Sequence, residues 1–281
     1  MMKIKKKRSK FVSLSIVAFI ALIVISWIYL IQTNEDIFDV FDSRNMEFLR
    51  SFVEKLLGKD TSQVAFLSPD RWWEVIKLSY ETIAMSVLAT GLATIGTLIT
   101  VFPAASNVAN GKLLMRKNWY GKILFFLIRI IYIINRSVPE LVWGMIIVFF
   151  LKGGILPGAL ALFIHNFGVL GRMCAEVVED IDVKPIRALS MSGASGKQAL
   201  LYGIIPMCIE KFLYYMLFRF EVIVRSTIVV GAVGAGGLGL YFKLKMSSFD
   251  YTGVTLVILM YLIVVYLTDL VSFGLKKLYK N

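Results

Sequence analysis

Charge is scarce in this chain: only 18% of its 281 residues are Asp, Glu, Lys or Arg, against roughly a quarter in an ordinary soluble domain. With 58% hydrophobic residues and a mean hydropathy of +0.74, that scarcity excludes a conventional soluble globule and places the chain in the membrane class. Cysteine is almost absent. Cys174 and Cys208 stand alone, without the paired spacings of a disulfide framework or a zinc site, and read as small buried thiols. His165 is the single histidine, and one span around it cannot supply the neighbouring ligands that a metal would need. It reads first as a hydrogen-bonded packing residue and second as a residue lining a pathway. No Ser/His/Asp or Cys/His set recurs at a membrane face, so neither a catalytic site nor a cofactor is expected.

Two glycine-rich stretches resemble nucleotide sites and fail on spacing. A phosphate-binding loop needs G-x-x-x-x-G-K-[ST], because several amides must wrap a phosphate and a hydroxyl must hold magnesium. In SGASGKQALLYGIIP (Ser192–Pro206) two residues separate Gly193 from Gly196, and Gln198 follows Lys197. GAGGLG, from Gly234 to Gly239, does fit G-x-G-x-x-G. That pattern also requires a preceding strand and an acidic residue about 20 positions on; here an apolar span precedes it and Asp250 comes too soon. Gly234, Gly236, Gly237 and Gly239 are instead expected to form an unwound turn, or a close backbone approach, at the outer end of a span.

What the sequence has in abundance is apolar runs. A bilayer crossing takes ~20 mostly apolar residues. Candidates are Phe11–Ile31, a stretch within Val75–Phe102, Val138–Leu151, Pro157–Ala175, Met207–Val230 and Val254–Phe273. Lys122–Asn135 reads as an amphipathic or interfacial helix ahead of the third. Phe11–Ile31 is longer than the apolar part of a signal peptide, ~7–15 residues, and reads as a retained anchor. Small residues from Ala84 to Gly96 predict close helix packing in the second span.

The net charge of +12 does not point to nucleic acid, because the basic residues sit beside apolar runs, where they set orientation and meet anionic lipid. Lys3 to Lys10, Lys112 to Lys122, the Lys184–Lys197 region and Lys276 to Lys280 put both termini and two loops on the cytoplasmic side, and the acidic Thr33–Glu74 segment outside. Lys243 and Lys245 are the exception. The chain divides into 1–75, an anchor helix with an extracytoplasmic segment, and 76–281, a transmembrane domain.

Arg219, Glu221 and Arg225 interrupt the span after Pro206. Each charge at a helix centre costs ~2.5–3.5 kcal/mol on insertion scales, so such residues face a bundle interior or a cavity. Glu221 and Arg225 are four apart with the acid first, which predicts an intrahelical pair. Arg219 has no such partner. It requires Glu140 or Glu176 from another span, or it presents its charge to an anion. Arg136 and Glu140 flank Pro139 as interface anchors or a hinge.

Counted back from Pro206, the loop Arg187-Ala188-Leu189, three residues, then Gly193-Ala194-Ser195 and on to Ile205-Pro206 resembles the cytoplasmic E-A-A-x3-G-x9-I-x-L-P motif of ABC importer permeases. Ala188, Gly193 and Pro206 match; Arg187 stands for the acid, Leu189 for the second alanine and Gly203 for isoleucine. SVPELVW (Ser137–Trp143), GALALFIHNFGVLGRMCAEVVEDID (Gly158–Asp182) and FRFEVIVRSTIVVGAVGAGGLG (Phe218–Gly239) are similar to the phosphonate-transport permease family, from Thr82 onward. The resemblance implies an all-α integral membrane protein of the MetI-like fold with about six spans in a bacterial cell membrane. It also implies a homodimer of permeases, a cytosolic ATPase that drives it, and an extracytoplasmic substrate-binding protein.

On that resemblance Arg187, Ala188, Leu189, Gly193, Ala194, Ser195 and Pro206 belong to the ATPase-coupling segment, with a short helix over Ile186–Gly196 and a second over Lys197–Ile205 ending at Pro206. Arg219, Glu221, Arg225, His165 and Glu140 line the path of a phosphonate or related phosphorus oxyanion. A passive anion channel and a membrane-embedded enzyme on a phospho-substrate are the alternatives.

Overall fold

A computed structural model describes residues 10–32, 42–61, 63–111, 113 and 119–280. Lys3, Lys5, Lys6, Lys7 and Arg8, the 33–41 stretch, and Lys112, Arg116 and Lys117, all used above for orientation, lie outside them. The described residues are helical, with no strand among them, and fall into two compact units, Met1–Asp60 and Thr61–Asn281.

In the first unit α1 (Lys10–Gln32) is uniformly apolar. α2 (Ser43–Leu56) starts at Asp42, whose carboxylate accepts the Ser43 amide at 2.8 Å. Near its end Glu54 meets Lys59 at 3.2 Å and Arg50 at 3.5 Å. The division at Asp60 precedes position 75 because α3 (Pro69–Thr100) is one unbroken helix that runs through Val75.

The second unit is a helical bundle. α3 starts with proline in its first turn, where the missing amide costs nothing. Its buried residues recur every three or four positions, from Val75 through Ser79, Thr82, Ser86, Ala89 and Ala93 to Thr97, the period of one helix face. The chain then passes through a short turn, α4 (Ser106–Ala109), into α5 (Trp119–Ser137) and α6 (Glu140–Leu151), which meet at 92°. Pro139 causes the bend: it lacks an amide and pushes Val138 out of the helical region. Alone, α6 is about 18 Å long, too short for a hydrocarbon core of about 30 Å. Val138–Leu151 is therefore no span by itself; α5 and α6 make one bent pair.

The hub is α7 (Ile155–Glu179), packed against α3, α5, α6 and α10. Small residues let its neighbours in. A Cβ at Gly168 would lie 2.8 Å from the Arg136 amide nitrogen of α5, and one at Gly171 would strike the Tyr132 ring. Beyond α7 come α8 (Val183–Met191), a one-turn α9 (Gly196–Gln198), α10 (Ile205–Val230), α11 (Gly237–Ser247) and α12 (Tyr251–Lys280). Among the described residues four helices are long and apolar enough to cross a membrane, or up to six if the α5/α6 and α10/α11 bent pairs each count as one. Cys174 and Cys208 are free and buried.

Candidate functional site

Three constellations matter, along a helix α7 about 37 Å long. The first lies where α8 follows its end. α8 begins at Asp182, whose carboxylate accepts the Lys184 amide at 3.0 Å. Ile186 is buried against Ala199 and Ile204, while Arg187 and Ala188 are exposed and Leu189 is half-buried. Gly193 has φ +90°, and no atom lies within 4 Å of a Cβ built there. Its glycine therefore serves the bend and not a close approach. Ser195 caps the next helix reciprocally: its amide donates to Gln198 Oε1 at 2.8 Å and its Oγ accepts the Gln198 amide at 3.4 Å.

Two expectations change here. The first helix covers Val183–Met191, not Ile186–Gly196, because the αL bend at Gly193 ends it. The second helix does not stop at Pro206. A π-helical segment, Ala199–Ile204, joins α9 to α10 in one continuous helix with Pro206 in the first turn of α10. The wider turn accommodates a residue that has no amide and crowds the carbonyl four positions back.

The second constellation lies midway along α7. Glu140, at the start of α6, accepts Ser226 Oγ of α10 on one carboxylate oxygen, and its other oxygen is 3.3 Å from His165 Nε2. His165 Nδ1 donates to the Val138 carbonyl at 2.9 Å, since a carbonyl only accepts. The bend residue, α7 and α10 are thus tied through one carboxylate. On the next face, Arg219 reaches Asn166 Oδ1 from Nε at 3.0 Å and also from Nη2, and Asn166 spends its own amide on the Leu162 carbonyl at 2.7 Å. Neither Glu140 nor Glu176 pairs with Arg219: among the described residues no carboxylate lies within 4.0 Å of its guanidinium.

Glu221 and Arg225 do not pair with each other. Lys276 reaches Glu221 at 2.7 Å, and Arg225 Nη2 meets both oxygens of Asp269 at 2.7 Å. α12 runs antiparallel to α10, and Asp269 and Lys276 are two turns apart on one face. It offers each charge a cross-helix partner in better geometry than a neighbour one turn away.

The third constellation is the glycine turn at the other end of α7. Gly234, Gly236 and Gly237 have φ of +114°, +92° and +64°, and the chain bends 61° between α10 and α11. The stretch is unwound and tightly packed: a Cβ on Gly231 would meet Gly239 Cα at 2.8 Å. The free amides at the start of α11 are taken by α3. Gly237 donates to Glu81 Oε2 at 3.2 Å and Leu238 to Thr82 Oγ1 at 3.0 Å, so the glycine pattern builds a helix joint and no phosphate cradle. Nearby, Lys245 pairs with Asp250 at 3.0 Å and Arg71 joins at 3.4 Å. That gives the anomalous Lys245 a local partner. Burial raises the Asp250 carboxyl, but the Gly253 amide at 2.9 Å and Lys245 outweigh it and hold the group below its ordinary value.

Sequence reasoning missed Asn166, Ser226, Glu81, Asp269 and Lys276 as partners. It also missed the buried Arg129, which joins Glu179 and donates to the Ala104 carbonyl at 2.8 Å. Charged residues inside apolar helices were the available signal for Arg129, Asp269 and Lys276. None marked Asn166 or Ser226.

A bundle of apolar helices with interior charges, and with an exposed amphipathic helix between its crossings, is the permease architecture of ABC importers. The chain aligns with a chain of the MetNI methionine ABC transporter in an inward-facing conformation at TM-score 0.64 and 20% identity, over 75% of this chain and 99% of that one. A chain of an amino acid ABC transporter aligns at TM-score 0.60 and 16% identity, over 75% and 97%. Residues 103–280 match the family described as "binding-protein-dependent transport system inner membrane component", and the chain belongs to that family. It is a multi-pass membrane component of a transporter, not itself an enzyme. Phosphite transport system permease protein PtxC of Stutzerimonas stutzeri is 34% identical over 200 residues, 71% of this chain and 69% of that protein. Phosphate-import permease protein PhnE of Mycolicibacterium smegmatis is 26% identical over 201 residues, 72% of this chain but 36% of that protein.

Proposed function

We propose that this chain is the permease subunit through which a phosphonate, phosphite or phosphate ion crosses the cell membrane, driven by ATP hydrolysis in a cytosolic partner. The observation that carries the anion is Arg219, a half-buried guanidinium in mid-bundle that is hydrogen-bonded to a neutral amide, with Glu140 acting on it only from beyond ion-pair distance. A half-buried cation with no carboxylate in ion-pair contact favours a passing anion. The relatives named for phosphite and phosphate transport narrow the class.

In this reading α8 and the Gly193 turn dock on the ATPase, with Met191 and Tyr202 offering exposed apolar surface (78% and 76%) beside Arg187 and Lys197. Arg187 replaces the acid of the motif and meets a complementary acidic patch on this partner. ATPase closure moves α8, the π-helical turn and α10 together, and Glu140 carries the motion to the α5/α6 bend. His165, Glu140, Arg219, Glu221 and Arg225 line or brace the path. An extracytoplasmic binding protein delivers the ion at the glycine end, and both termini lie in the cytoplasm. The permease works as a homodimer. In support, Arg225 and Asp269 are nearly half exposed, at 46% and 43%, on the predominantly apolar helices α10 and α12. A second subunit or an aqueous path between two subunits suits such a pair; hydrocarbon does not.

The enzyme alternative is disfavoured by order. Ser226 and His165 both address Glu140 and not each other, so the imidazole cannot take the serine proton. The test is uptake of labelled phosphite or methylphosphonate by proteoliposomes holding the permease, its ATPase and its binding protein. Uptake that requires all three and hydrolysable ATP supports the reading; flux through the permease alone supports a channel.

A further inference from the structure

The face of α7 that carries His165 continues toward the helix end with two further charges, Arg172 and Glu176. His165, Arg172 and Glu176 recur on it at i, i+7 and i+11, so they share one stripe of the helix. With Arg136, from the last turn of α5, they line an open cavity of about 500 Å³. Arg136 is exposed and forms no ion pair among the described residues, while Arg172 Nε is held by Glu176 at 2.5 Å. Two guanidiniums against one carboxylate leave this chamber with one positive charge in excess. A second cavity of about 420 Å³ adjoins it, sharing Met173 and Glu176, and carries Asp180 and Glu210 against Lys211. A basic chamber therefore meets an acidic one, and Glu176 stands on the boundary.

Resting on the permease reading, we propose that Arg136 and Arg172 form a binding site for a tetrahedral oxyanion, and that Glu176 is its built-in competitor. The planar fork of arginine matches phosphate-like oxygens. Arg172 is already occupied by Glu176, so an arriving anion must displace that carboxylate. When Glu176 returns to Arg172, the anion is expelled. The contest keeps affinity low, as a carrier that must release its cargo requires. Arg219 is the charge on α10, and this pair is the charge on the facing α5 and α7.

Inorganic phosphate is the probe, and broadening of its ³¹P NMR line by the detergent-purified permease–ATPase complex, without binding protein, is the readout. R136Q and R172Q each should weaken phosphate binding about tenfold, the worth of one charge-assisted hydrogen bond, and R172K should recover part of the loss. E176Q should tighten binding and slow uptake in proteoliposomes, a change in sign that misfolding cannot imitate. Equal broadening by wild type, R136Q, R172Q and E176Q overturns the site. Absence of ATP-dependent uptake by the wild-type complex overturns the permease reading instead, whatever the NMR shows.

Discussion

Arg219 and Asn166 are joined through a single oxygen: two guanidinium nitrogens converge on Oδ1, and among the described residues no carboxylate comes within 4.0 Å of the cation. An uncharged partner orients the arginine without spending its charge. Replacing Asn166 with aspartate should leave insertion intact and reduce anion uptake by tenfold or more on the order of a charge-assisted bond, because the new carboxylate neutralises Arg219. Initial uptake rates, with expression checked by immunoblot, decide it. Unchanged uptake in N166D would detach Arg219 from the path.

The Gly193 bend should be intolerant of side chains for conformational reasons alone. Its φ of +90° is strained for any L-residue, yet nothing crowds the position. G193V should therefore insert normally and still fail to couple transport to ATP, at a backbone cost of about 1–3 kcal/mol. Co-purification of the ATPase with G193V measures it, with a lower recovered ratio expected.

Arg129 makes a stability prediction away from the path. It is 8% exposed and ties Glu179 of α7 to the loop after α3. Removing it strands a partly buried carboxylate, so R129A should lose on the order of 3 kcal/mol. Thermal unfolding in detergent should register this as a clear fall in midpoint. R129K should fall between the two.

Asp250 gives a pH dependence with a defined sign. Its folded value lies below its unfolded one, so its contribution to stability is present above the ordinary carboxylate value, near pH 4, and is lost as pH falls through the folded value. D250N should melt below wild type at pH 7, and the gap should narrow as the pH approaches 3. A gap that widens on acidification would contradict the assignment.

Span positions were legible because long apolar runs leave few alternatives: Phe11–Ile31, Pro157–Ala175 and Val254–Phe273 lie inside helices Lys10–Gln32, Ile155–Glu179 and Tyr251–Lys280. The bend at Pro139 was legible from proline chemistry, although its angle was not. Pro206 misled, because a π-helical turn absorbs what local rules treat as a stop. Charge partners were the least legible part. Glu221 and Arg225 satisfy a one-turn spacing, yet Asp269 and Lys276 claim them from a helix over 40 residues away. Sequence spacing sees one helix at a time, and the antiparallel register of α10 and α12 is a property of the fold.

The central claim is that hydrolysis elsewhere drives a phosphorus oxyanion through this chain. Its most direct test is uptake of ³²P-phosphate, alongside labelled phosphite, into proteoliposomes with the ATPase and binding protein present and ATP enclosed on the ATPase side. The account predicts accumulation against a gradient that stops with a non-hydrolysable nucleotide and falls sharply in N166D. Equilibration without ATP, or chemical conversion of the ion by the permease alone, would contradict it.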